Sequence, residues 1–302
     1  MTSNNVDLRK YALLSIGTAI ATIGFKGTAW WMTGSVGLLS DAIESFVNLA
    51  GALMAFWMLS LAMQPADAKH PYGHGKAEYF SSGFEGLLIL VAAFGIGHTA
   101  WARLVNPQPL EAVGIGLAIS VVASILNLAV ARVLLQAGKA HSSITLEADG
   151  HHLMTDVWTS AGVIVGVGLA WLTGLTWADP VIAILVAVNI LWTGWKLIRR
   201  STSGLMDAAI PPEELLEIEA VLASFHGPEV AVHALRTRQA GARVFISFHL
   251  LVPGAWPVKA AHDLSEEVEA ALKAKLPTAH ITTHLEPLED PRSLEDADLD
   301  RL

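Results

Sequence analysis

The sequence contains no cysteine, which excludes disulfides, thiolate metal sites and cysteine nucleophiles together. Charge is scarce as well: 16% of residues are Asp, Glu, Lys or Arg, against about 25% in soluble domains. The scarcity is uneven. Up to Met206 there are 11 basic and 11 acidic residues, mostly in short clusters between apolar runs. From Asp207 onward there are 8 basic and 17 acidic, so the last third carries the whole net charge of −9. With a mean hydropathy of +0.47, this split reads as a membrane domain followed by a soluble acidic one. The acidic third has no basic stripe, which argues against nucleic-acid binding. The opening MTSNNVDLRK is polar and lacks a small-residue cleavage site, so the first apolar run reads as a retained helix.

Long apolar runs are abundant. A membrane-spanning helix needs about 20 mostly apolar residues, and six segments approach or meet this: 11–33, 37–63, 82–104, 112–136, 145–173 and 178–198. The second and fifth qualify only if internal polar residues are tolerated. Arg9, Lys10, Lys69, Lys76, Arg132, Lys139, Lys196, Arg199 and Arg200 all fall on one side of the resulting topology, with Arg103 the exception. Basic loops stay cytoplasmic, so both termini and the acidic domain are expected there. Trp30, Trp31, Trp101, Trp171 and Trp177 lie near the opposite helix ends, as an interfacial belt does.

The polar residues inside the spans carry the chemistry. Charged groups in lipid cost several kcal/mol and face the bundle interior. The second run holds Asp41, Glu44 and Asn48, spaced i, i+3, i+7 on one helix face. The fifth holds His152 and Asp156, spaced i, i+4, with Asp149 one turn earlier. Two such faces offer four N/O ligands to Zn²⁺ or, with adjustment, Fe²⁺, Co²⁺, Mn²⁺, Ni²⁺ or Cd²⁺. Asp41 also reads as a helix cap, and Asn48 as interhelical glue. His151 reads as a non-ligand or outer-shell residue, His98 as structural, and Glu85 stays open between the two roles. No H-E-x-x-H is present, which weighs against an intramembrane metalloenzyme. A membrane-anchored metal sensor would not need the intramembrane carboxylates.

On these residues the chain resembles the cation diffusion facilitator family of divalent-metal/proton antiporters. QPADAKHPYGHGKAE (Gln64 to Glu78) and HALRTRQAG (His233 to Gly241) are similar to its bacterial ferrous-iron/zinc efflux branch. The resemblance implies an α-helical membrane protein with six transmembrane helices (1–206) and a cytoplasmic α+β ferredoxin-like, metallochaperone-like domain (207–290). An acidic disordered tail (291–302) would follow. It implies a transport site of Glu44, Asn48, His152 and Asp156, where Glu44 replaces the usual His or Asp and Asn48 the usual Asp. Asp41 stands near enough to compensate. It implies a loop site of Asp67, His70 and His74, and a C-terminal site of His233, His249, His262 and His284 with Glu286 in place of an Asp. It further implies a homodimer steadied by a Lys76–Asp207 ion pair. The partners are then membrane lipids, protons and a divalent cation, Zn²⁺ or Fe²⁺ first, serving as substrate and regulatory ligand. The location is the inner (plasma) membrane.

For the last third, the hydrophobic pattern predicts a helix over 213–226, strands over 230–239 and 243–252, a helix over 258–275 and a strand over 280–287. The αββαβ order suggests helices on one face of a small sheet.

Overall fold

The computed structural model describes residues 7–33, 36–106, 115–173, 175 and 177–295; the side chains of Asp41, Glu44 and Trp171 lie outside the described residues. The chain forms two compact units, Met1–Thr202 and Ser203–Leu302.

Among the described residues, the first unit shows six long helices: α1 (Arg9–Thr33), α2 (Val36–Ala62), α3 (Ala77–Val105), α4 (Ile115–Ala140), α5 (Ile144–Thr173) and α6 (Ala178–Leu205). Four described stretches are long and apolar enough to cross a membrane: Ser45–Ala62, Ala77–Val105, Val121–Ala140 and Pro180–Leu205. The expectation of six apolar spans is thus met by composition in four. The other two helices are as long, but α1 carries Lys26 and α5 carries Glu147, Asp149, His152 and Asp156. Helix length follows from backbone satisfaction rather than from apolarity alone. Both α3 and α6 therefore run past the expected apolar limits, to Ala77 and Leu205. Their polar ends are anchored where Ser201 Oγ donates to the Tyr79 carbonyl at 2.5 Å, Ser143 Oγ donates to Glu78, and Arg200 pairs with Glu147.

Helix α5 is central. Its Leu146 and Leu153 pack with Ala12 of α1, Leu59 of α2 and Val130, Ala131 and Leu134 of α4. Its Ala148 packs with Ile89 and Ala93 of α3 and Ile190 and Leu197 of α6. Because lipid is as apolar as leucine, such contacts hold helices by close packing, which small residues permit. A Cβ at Gly194 of α6 would stand 3.1 Å from the Gly86 carbonyl of α3, and one at Gly86 would stand 3.2 Å from the Gly194 carbonyl. Side chains such as Trp57, Leu87, Val91, Phe94, Ile125 and Leu185 point outward and are exposed, as lipid-facing positions require.

The second unit runs α7 (Pro212–Ser224), β1 (Ala231–Ala240), β2 (Arg243–Val252), α8 (Val258–Lys275) and β3 (Ala279–Pro287), the predicted order. Pro212 opens α7 with Glu213 and Glu214 in its first turn, and Lys273 and Lys275 close α8, each matched to the helix dipole. The sheet order is β1-β2-β3. β1 and β2 are antiparallel around Gly241 (φ 61°), and β3 joins β2 in parallel after the α8 crossover. In β2 the even positions Val244, Ile246, Phe248 and Leu250 are buried against Ile218 and Leu222 of α7 and Val268 and Leu272 of α8. The odd positions, His249 among them, face the other side of the sheet.

One bulge sets the register. Between His233 and Arg236 of β1 the pairing with β2 slips, and Ala234 sits at φ 50°, a left-handed conformation costly to a residue with a Cβ. If β1 paired regularly through Ala234, side-chain alternation would turn His233 to the core face. The bulge instead pairs His233 with His249. The tail expected to be disordered from residue 291 is ordered at its start. Pro291–Leu294 is a 3-10 helix in which Asp290 accepts from the Arg292 backbone N–H at 3.0 Å, and Ser293 Oγ donates to the Pro287 carbonyl at 2.8 Å. The correction has a local cause: Pro291 fixes the turn and Asp290 caps it.

Candidate metal centre

Inside the first unit, a polar chain links three helices. His152 Nε2 on α5 lies 2.7 Å from Asn48 Oδ1 on α2. Asn48 Nδ2 donates to Asp156 Oδ2 on α5 at 2.5 Å, and Asn127 Nδ2 on α4 donates to the same oxygen at 2.9 Å. Asn48, Asn127, His152 and Asp156 are all buried. The i, i+4 spacing on α5 puts His152 and Asp156 on one face, and α2 crosses that face at Asn48. An imidazole nitrogen, a carboxylate and two amide groups thus meet in an interior shielded from lipid. Such a donor set suits divalent cations of intermediate or hard character. Asp41 and Glu44 lie on α2, but their side chains are outside the described residues.

Three further polar residues adjoin this chain, of which the sequence marks Glu85 and Asp149. Glu85 of α3, left open between two roles, is fully buried, with an oxygen 3.3 Å from His152 Nδ1. Asp149, one turn before His152, is buried and accepts from Ser15 Oγ of α1 at 3.0 Å. Asn127 of α4 has no counterpart in the sequence analysis. Glu85 and Asn127 are isolated polar residues in apolar runs, which is the only signal their sequence offers. Lys26 of α1 is buried by the same pattern. His151 is half-buried and His98 is exposed on α3.

The loop after α2 gathers Asp67, His70 and His74, with one ligand atom from each within 4.8 Å of the others. Pro71 blocks a helix here. Instead Gly73 (φ 82°) donates its N–H to the His70 carbonyl at 2.9 Å, and the chain reverses so that His74 Nε2 comes 3.0 Å from His70 Nδ1. Asp67 accepts backbone N–H bonds from His70 at 2.7 Å and Lys69 at 2.8 Å. The His70 bond above all holds its carboxyl below the usual value of 3.8.

The third cluster lies on the sheet face opposite the helices. Register places His233, His249 and His284 in one row across β1, β2 and β3, and Glu286 two residues beyond His284 on the same face. Glu286 gathers them: one oxygen lies 2.9 Å from His233 Nε2 and 3.4 Å from His249 Nδ1, the other 3.4 Å from His284 Nε2. His262 is exposed on α8 and does not join the metal-ligand cluster found among the described residues. His280 stacks on Phe245, and His226 Nε2 accepts from the Val232 N–H. Asp207 accepts from Arg238 at 3.2 Å within the second unit, and Lys76 stands at the N-terminus of α3.

Long helices enclosing a buried His/Asp/Asn cluster, followed by an α/β unit with a histidine cluster of its own, define a multi-pass membrane protein equipped to bind cations. Residues 12–206 match the family of cation efflux transmembrane domains, and residues 210–288 match the cation efflux protein cytoplasmic domain. The chain belongs to the cation efflux family. It is 54% identical over 290 residues to the uncharacterized transporter sll1263 of Synechocystis sp., covering 96% of this chain and 94% of that one. It is 31% identical over 276 residues to the cation-efflux pump FieF of Klebsiella pneumoniae, covering 91% of each. To FieF of Yersinia pestis it is 33% identical over 280 residues, covering 92% of each. Among solved structures, the zinc transporter CzrB in its Zn form shares 43% identity, covering 27% of this chain and 93% of that chain with a TM-score of 0.26.

Proposed function

We propose that the chain exports divalent metal cations from the cytoplasm in exchange for protons, as a homodimer of six-span protomers with both termini cytoplasmic. The observation that carries this reading is the buried chain His152–Asn48–Asp156–Asn127 across α5, α2 and α4. Groups this costly in a bilayer are kept where they serve a pathway. The cation is substrate. It sheds water, enters from the cytoplasmic side and takes His152, Asp156, the Asn48 oxygen and Glu44. Metal ligands must be deprotonated, so loading releases protons and external protons favour discharge. Alternating access then follows from rocking of the helices around a fixed site. Asp67, His70 and His74 form a cytoplasmic capture site. The cluster at Glu286 binds the same cation as a regulatory ligand, and Zn²⁺ and Fe²⁺ both fit the donor sets. The membrane is the plasma (inner) membrane.

Flux in proteoliposomes with an entrapped metal dye and a pH dye tests this. Wild type is expected to move Zn²⁺ with a stoichiometric opposite proton flux, and His152→Ala/Asp156→Ala to move neither. Zn²⁺ transport indifferent to an imposed pH gradient would overturn the antiport, and full flux in the double variant would overturn the site.

A further inference from the structure

The polar chain continues beyond the proposed ligands, on the far side of the histidine. His152 offers Nε2 to Asn48 at 2.7 Å and turns Nδ1 toward Glu85 Oε2 at 3.3 Å. Among the described residues neither Glu85 oxygen, nor His152 Nδ1, completes a hydrogen bond, although all three atoms are buried. The Asp149 carboxylate lies within electrostatic reach and is occupied on one side by Ser15. A carboxylate with no donor is among the costliest groups to bury. The fold nevertheless makes room for it. A Cβ at Gly51 of α2 would lie 2.6 Å from Glu85 Oε1 and 2.8 Å from Oε2, so α2 is bare of side chain where the carboxylate rests.

We propose that Glu85 is a positioning residue of the transport site: it fixes His152 with Nε2 toward the cation. This rests on the transport-site reading above. A histidine bound to metal through one nitrogen holds its other N–H against a carboxylate in most metal sites, which sets the tautomer and orients the ring. Here the second nitrogen meets a carboxyl oxygen from α3 rather than from the ligand helices.

The test is the half-saturating Zn²⁺ concentration for proteoliposome flux. Glu85→Leu keeps the bulk but removes the acceptor facing Nδ1. It is expected to raise half-saturation by about 10–100-fold, with maximal rate and melting temperature little changed. Glu85→Gln keeps an acceptor for the Nδ1–H and is expected to stay near wild type. If Glu85→Leu does not assemble, Gly51→Ala carries the test: it keeps both partners but displaces the carboxyl group, and the same rise is expected. Wild-type half-saturation in Glu85→Leu, or in Gly51→Ala where that variant is used, would overturn the proposal, as would a fall in maximal rate alone or a Glu85→Gln as impaired as Glu85→Leu. His152→Ala/Asp156→Ala separates the two levels: its loss of flux beside an unaffected Glu85→Leu leaves the transport site standing and removes Glu85, whereas its retention of flux removes both.

Discussion

Asn48 donates its amide N–H to Asp156 at 2.5 Å while its carbonyl oxygen meets His152 at 2.7 Å, so one neutral side chain bridges the imidazole and the carboxylate of α5.

Asn48→Asp replaces the donor facing Asp156 with a second carboxylate. Two carboxylates at this separation oppose joint ionisation, and the hydrogen bond from position 48 to Asp156 is lost, at a cost of about 0.5–1.5 kcal/mol, while Asn127 still donates to that oxygen. The metal-free protein is expected to melt lower than wild type, and saturating Zn²⁺ to raise the melting point more than it does in wild type. Differential scanning fluorimetry in detergent, with and without Zn²⁺, reads both shifts. Equal shifts in the two proteins would show that position 48 does not face the cation.

The Asp67 loop gives a pH prediction. The backbone N–H groups of His70 and Lys69 stabilise the ionised carboxylate, so its folded pKa lies below 3.8. A depressed carboxylate pKa contributes stability that is complete above the unfolded value and lost as pH falls through the folded one. The loop is expected to hold its form above pH 3.8 and to loosen below it. Amide exchange at His70 and Lys69 will report this, and Asp67→Asn is expected to remove the pH dependence.

Ala234 controls the sheet cluster through backbone geometry. Ala234→Val disfavours the left-handed backbone, favours regular pairing that turns His233 to the core face and is expected to weaken Zn²⁺ at the Glu286 cluster. Ala234→Gly keeps the bulge, relieves a left-handed alanine worth about 1–2 kcal/mol, and is expected to keep Zn²⁺ affinity. Competition titration against a chromophoric chelator on the full chain distinguishes the two. Equal affinity in Ala234→Val would show that the left-handed backbone at 234 does not place a ligand.

Phe248 anchors the core of the second unit, fully buried between the sheet and α7 and α8. Phe248→Ala is expected to cost that unit about 3–5 kcal/mol, read as lost hydrogen-exchange protection along β2. The helices of the first unit are expected to exchange as in wild type.

Much of this architecture was legible in the sequence. Apolar runs marked the helices, and alternation in RVFISFHLLV marked β2 to the residue. The grouping of Asp67, His70 and His74 was legible because they are neighbours in the chain. What escaped was fixed by contacts between distant segments. Helix α6 continues to Leu205 through polar residues that composition counts against a span. Glu85 becomes meaningful only where α3 passes His152. His233, His249 and His284 have no informative spacing; they share a row because of the strand register and one residue, Ala234, whose left-handed backbone no propensity anticipates. Resemblance grouped His262 with them, but α8 leaves it exposed and outside that row.

The most direct test of the central claim is anomalous diffraction at the zinc edge from crystals of the full chain soaked in Zn²⁺. The account predicts a peak within bonding distance of both His152 Nε2 and Asp156, with the Asn48 amide no longer bridging them. Peaks confined to the Asp67 loop and the Glu286 cluster at saturating Zn²⁺ would contradict it.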